Sequence, residues 1–322
     1  MLKKASIRKI LVSISALFAL FLIYLIPNNA SDNKLNIDYE LSYIEQDVNK
    51  EVIYLLDSYN MLGRSEVVVN NENLSVENKA RELVEVLIKG GAGEDRIPNG
   101  FRSILSSETK ILSLKFNDGI IKIDFSKELL DVDKENEEKM VEAIVYTLTS
   151  IEGVNKVIIY VNGDILTKLP QTNKNLPATL DKSFGINKEY DITSMNDITM
   201  TTVYYINKYN DNYYYVPVSK FSNDDRNKIT IIVDSLSSSP TYKANLMSFL
   251  NYNTKLLSAT QNVDTLSLNF NSYIFNDASE KKILEEVIHT ISLSVEDNYD
   301  VSELIFKVDD EEIYKTTFKT IE

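Results

Sequence analysis

The chain has 322 residues, 43% of them hydrophobic and 25% charged, a globular composition with room for one to three domains. With no Cys, no Trp and one His, it excludes disulfides, thiolate metal sites, cysteine nucleophiles, a lipid anchor on cysteine and zinc held by several imidazoles. Lys3, Lys4, Arg8 and Lys9 precede the first acid, Asp32, so the net charge of −14 leaves −18 on the rest, and nucleic acid is not an expected partner.

Ile10 to Ile26 reads ILVSISALFALFLIYLI. A membrane-spanning helix needs about 17–25 apolar residues and a signal-peptide core about 7–15. An uncleaved signal-anchor over residues 1–27 is therefore expected, with cleaved secretion as the alternative. Ile10, Leu11, Leu17, Phe18, Leu20, Phe21, Leu22 and Ile26 would face lipid. The basic head stays cytoplasmic and the body lies outside. Residues 28–50, rich in Asn, Asp and Lys, read as a tether.

Glu51–Asp57 and Arg64–Val69 read as strands. Ser75 is a helix N-cap, followed by an apolar stripe at Ala80, Leu83, Val84 and Leu87 that stops at Gly90-Gly91. Ile111–Phe116 and Ile120–Phe125 form a hairpin around Asn117-Asp118-Gly119. Met140, Ala143, Ile144, Thr147, Leu148 and Ile151 mark a second helix closed by Gly153, and Val157–Val161 is a last strand. Pro170–Met195, with little periodicity, reads as a linker.

The pattern then recurs. IYLLDSYN at Ile53–Asn60 matches VYYINKYN at Val203–Asn210. TKILSLKFNDGIIKIDFS at Thr109–Ser126 matches TKLLSATQNVDTLSLNFN at Thr254–Asn271. VYTLT at Val145–Thr149 is matched to IHTIS at Ile288–Ser292, and VIIYVN at Val157–Asn162 to LIFKVD at Leu304–Asp309. Four matches in one order at nearly constant offset indicate a duplication. The second copy predicts strands at Val203–Ile206 and Tyr213–Val218, a helix with Ile229, Ile232, Val233 and Leu236, strands near Leu256 and at Leu266–Phe270, a helix with Ile283, Val287, Ile288 and Ile291, and a strand at Leu304–Val308. The expected fold is α+β: an N-terminal membrane anchor, then two tandem small α/β-layer domains of hairpin-α-hairpin-α-β order. They cover residues 51–170 and 199–322 around a linker at 171–198. Each helix is expected on one side of a small sheet.

Thr109-Lys110, Asp124-Phe125-Ser126, Tyr146-Thr147-Leu148 and the strand from Val157 to Gly163 resemble the GerMN domain family. The second copy departs at Asn269, His289-Thr290-Ile291 and Asp310. The resemblance implies a ring-building-motif-like fold and a cell-surface or sporulation role. It also implies partners among envelope or sporulation-complex proteins, with peptidoglycan as an alternative partner, and no catalytic residues. Many members are lipoproteins; here the apolar N-terminal stretch must anchor instead.

The candidate sites are few. Asp131, Asp133, Glu135, Glu137 and Glu142 fit a calcium-loop spacing, but Asn136 stands where Gly is required, so an acidic first helical turn is the better reading. His289 follows Glu285 and Glu286 without a supporting constellation and reads as a structural, partly buried residue. Tyr204, Tyr205, Tyr209, Tyr213, Tyr214 and Tyr215 make a candidate interaction surface, against ordinary strand propensity; Pro217 suits an edge strand. Gly90-Gly91-Ala92-Gly93 lacks the Lys-Ser/Thr of a phosphate loop. No cofactor, metal or catalytic group is expected. A non-enzymatic, membrane-anchored extracytoplasmic scaffold is favoured over a cell-wall binding module, and either over a carboxylate-dependent wall hydrolase.

Overall fold

The computed structural model describes residues 50–69, 74–238 and 245–318, which fall in one compact unit. The expected anchor, from Ile10 and Leu11 through Leu17, Phe18, Leu20, Phe21 and Leu22 to Ile26, lies outside the described residues, as does nearly all of the tether. Among the described residues no helix is long and apolar enough to cross a membrane.

The first copy runs β1 (Lys50–Leu56), β2 (Leu62–Val68), α1 (Val76–Leu87), β3 (Ile111–Asn117), β4 (Ile120–Phe125), α2 (Glu137–Leu148), β5 (Lys156–Val161) and β6 (Asp164–Ile165). Ser75 caps α1 by accepting from the Asn78 amide at 3.4 Å, and Leu83, Val84 and Leu87 are buried beneath it. The β3–β4 turn holds Asp118 and Gly119 at φ 49° and 74°, the two left-handed residues a tight hairpin requires. Strand β5 lies parallel to β4, with α2 as the crossover.

A short strand β7 (Glu189–Asp191) precedes the second copy: β8 (Thr199–Tyr209), β9 (Asn212–Ser222), α3 (Lys228–Ser237), β10 (Leu256–Asn262), β11 (Thr265–Phe270), β12 (Phe275–Asp277), β13 (Lys282–Ile283), α4 (Glu285–Glu296), β14 (Glu303–Val308) and β15 (Glu311–Thr317). Ile283, expected on the last helix, sits instead in β13.

Each copy does not keep its elements in one small sheet. The order β3-β4-β5-β6 makes one four-stranded sheet and β10-β11-β14-β15 another. The leading hairpins leave these and merge into a third, β1-β2-β9-β7, with β8 on the other side of β9. Strand β2 meets β9 at Arg64 and Tyr215, and β7 continues the same edge of β9 in parallel at 220–222. Two apolar cores result, one per copy, with Phe101 packed against both. Pro217 is therefore not on an edge strand. It lies in β9 between the end of β2 and the start of β7, where its missing N–H leaves no ladder bond unmade.

The expected linker is a built element. Leu176, Leu180 and Ile186 are buried in the first core, and Leu180 pairs with Val157 of β5.

Candidate functional site at the joint between the repeats

The polar groups buried most deeply converge where the two hairpins meet, and the duplication is written into their contacts. Tyr54 and Tyr204, matched residues of the two copies, touch hydroxyl to hydroxyl at 2.9 Å. Asp57 and Asn207, also matched, meet with the Asn207 amide donating to Asp57 Oδ2 at 3.3 Å. The Tyr54 amide donates to Thr147 Oγ1 on α2 at 3.1 Å, and the Tyr204 amide to Ser294 Oγ on α4 at 2.9 Å. Leu56 bridges to Arg102 and Ile206 to Met247 in the same way. The copies are thus related by a pseudo-two-fold axis between the tyrosines.

These bonds correct one repeat register. Thr147 is the counterpart of Ser294, so the helices align one turn away from the VYTLT–IHTIS match. Glu142, not Tyr146, is then the counterpart of His289. His289 is exposed rather than partly buried, 3.7 Å from Glu285 and beside the Tyr215 ring.

Asp57 is 1% exposed and fully used. Its Oδ1 accepts from the amides of Tyr59 and Met61, both at 2.8 Å, closing the β1–β2 turn. Its Oδ2 accepts from Asn207 and from the Tyr214 hydroxyl at 2.9 Å. Burial, then the Asp57 charge, push the Tyr214 hydroxyl far above its ordinary range, so it stays a donor. A second chain runs from Tyr54 to Tyr204 to Asp297 Oδ2 (2.8 Å), with Lys182 on Asp297 Oδ1 (2.6 Å). Burial opposes the charge on Lys182, but Asp297 outweighs it and raises the pKa.

Asn187 bridges the gap beside Pro217. Its side-chain oxygen accepts from the Leu62 amide (2.9 Å), and its nitrogen donates to the carbonyls of Leu62 and Pro217 (2.8 Å each). It adopts φ 47°, which Asn tolerates well. Its own amide donates to Glu142 Oε2 at 2.9 Å. Burial lifts the Glu142 carboxyl to about 7 against the opposing pull of Lys188, 3.6 Å away. Glu137 is wholly buried, accepting from the amides of Gln171 and Thr172 at 2.8 and 2.7 Å. The carboxylates of Glu137 and Glu142, two of the five calcium-loop positions, thus bind the inter-repeat segment, and α2 begins at Glu137 as the helical reading expects.

The tyrosine-rich hairpin faces inward for the most part. Tyr204, Tyr205 and Tyr214 are buried and cannot belong to an outer surface: Tyr204 and Tyr214 bond the first repeat, and Tyr205 packs in the second core. Tyr209 is half-buried, its ring lying against Gly100, where a Cβ would come within 2.4 Å. Tyr215 is also half-buried, and only Tyr213 is 46% exposed, edge-on to Phe249 at 5.3 Å. Sequence reasoning missed Asp57 and Asn187, and met Glu142 only as a position of the calcium-loop spacing. A usable signal was there: Tyr54 recurs as Tyr204, and a polar residue recurs at Asp57 and Asn207, inside otherwise apolar strands.

Three comparisons bear on this arrangement. A family model described as "Germane: Sporulation and spore germination" matches residues 52–167 and again 202–314. The spore germination protein GerM of Bacillus subtilis (strain 168) is 34% identical over 239 residues, 72% of this chain. That match spans 65% of the relative's own length. The solved tandem GerMN domains of the sporulation protein GerM from Bacillus subtilis superpose with a TM-score of 0.74 at 27% identity, covering 82% of this chain and 92% of that one.

Proposed function

Because this chain belongs to the Germane family of sporulation and spore germination proteins, we propose that it is a non-enzymatic, membrane-anchored, extracytoplasmic scaffold of the sporulating or germinating cell envelope. The observation that carries this reading is the joint. The two GerMN-like repeats share a sheet and are bonded to each other through separate buried polar contacts, Tyr54–Tyr204 and Asp57–Asn207, so they present their outer faces at one fixed spacing. A rigid two-headed body suits assembly, where partners must be held at defined separation. The deeply buried acids bind backbone amides and side chains of the joint, which supports a structural use for them.

The anchoring part of the proposal rests on Ile10–Ile26 and its basic flank. Fractionation of full-length protein against a form lacking residues 1–27 tests it; a truncated form that remains in the membrane fraction would sink the anchor. The assembly part is tested by photo-crosslinking the full-length protein in sporulating cells. Reproducible adducts with envelope or sporulation-complex proteins support the scaffold. Adducts with wall glycan alone would favour the wall-binding alternative, and release of soluble wall fragments would favour a hydrolase.

A further inference from the structure

A cleft of about 370 Å³ opens beside the joint, and the inter-repeat segment builds most of it. That segment lies between the two family-matched stretches, which contribute Glu138 from the first and Phe221 from the second to the cleft. Its volume is at the lower end for small-molecule sites, about 300–1,000 Å³.

Two features define its chemistry. The first is an aromatic platform. Tyr190 is 59% exposed, yet its ring is stacked on Phe221, with centroids 5.2 Å apart and planes 22° apart. Gly185, at φ 80°, also lies against Phe221; a Cβ there would meet the ring at 3.0 Å. A tyrosine backed by a second ring while most of its surface meets water offers a flat apolar face. The second is an ion pair lining the cleft. Glu138 is bonded by Lys174 and by Lys188 (2.8 Å), and Lys188 lies 3.3 Å from the centre of the Phe184 ring. The Lys174 side chain is 48% exposed, so this pair is reachable.

We propose that this cleft binds a neutral saccharide, one ring lying on Tyr190 and its hydroxyls meeting the Lys174–Glu138 pair. The complementarity is specific. A hydroxyl both donates and accepts, so one group can meet the carboxylate and the ammonium together, whereas a peptide must bring a separate N–H and C=O to them. A polyphosphate would face Glu138 and a chain of net charge −14. Saccharide binding goes beyond the scaffold reading, which is decided separately by the crosslinking of protein partners.

The test is ligand-observed NMR and titration calorimetry on the full-length protein with chitotetraose and cellotetraose. Tyr190→Ala and Lys174→Gln alter the cleft at exposed side chains, and Tyr252→Ala, 79% exposed and outside the cleft lining, is the control. The expected result is saturation transfer to at least one sugar, weakened about tenfold by Tyr190→Ala and reduced by Lys174→Gln. Tyr252→Ala should leave binding unchanged, with thermal melting of all three variants close to the parent. Absence of transfer to both sugars, binding indifferent to Tyr190→Ala, or binding of a decaproline peptide in place of either sugar would overturn the proposal.

Discussion

Asp57 shows how one buried acid can be affordable. A carboxylate removed from water is costly unless its lone pairs are filled, and here four donors fill them. Asp57→Ala leaves those donors facing a void, so urea denaturation should show a loss of about 3 kcal/mol; a loss within experimental error would mean that the network contributes little. Glu142 behaves differently, because burial raises its pKa from 4.5 to about 7. The folded protein then holds a proton that the unfolded chain has released, so stability conferred at low pH is lost as pH rises through that interval. Parent protein should lose on the order of 2 kcal/mol between pH 5 and pH 8 from this group. Glu142→Gln retains an acceptor for the Asn187 amide and should remove that slope; an unchanged slope in denaturant midpoints against pH would contradict the assignment.

At the scale of elements, local signals were legible and pairing partners were not. Ser75, the stripe along α1, Asp118-Gly119 and the second helix all follow from nearest-neighbour chemistry, and the structure places them where the sequence does, except that Ile151, expected on the second helix, lies beyond its end at Leu148. The merger of β2 with β9 was not legible, because periodicity says which residues face a core but not which sheet a hairpin joins. The packing of the inter-repeat segment was not legible for a related reason: its buried Leu176, Leu180 and Ile186 follow no period, and its backbone amides bond acids far away in sequence. The repeat match carries a further prediction. Where the first copy turns on Asp118-Gly119, the second turns on Val263-Asp264, with Val263 at φ 47° and 85% exposed. A β-branched residue is strained there. Val263→Gly should therefore raise stability by about 1 kcal/mol; a fall in melting temperature would show that the valine makes contacts worth more than its strain.

The whole molecule is best understood as two copies of one unit joined through equivalent residues. Family membership accounts for the repeated fold, and the Tyr54–Tyr204 and Asp57–Asn207 contacts account for the fixed geometry between copies. The tyrosine-rich hairpin, expected in part as an outer surface, is chiefly the inner seam. That moves the search for partner contacts to the outward sheets, where Leu112 and Leu257, matched residues of β3 and β10, are 51% and 52% exposed. Both positions also serve the decisive measurement, since the chain contains no cysteine and two introduced thiols can be labelled cleanly. Pulsed electron–electron resonance on spin-labelled Leu112→Cys/Leu257→Cys protein reports the distance between the repeats directly. One narrow distribution, broadened when Asn187→Ala is added, is the result a welded joint predicts. A broad or multimodal distribution in the otherwise unaltered protein would contradict it.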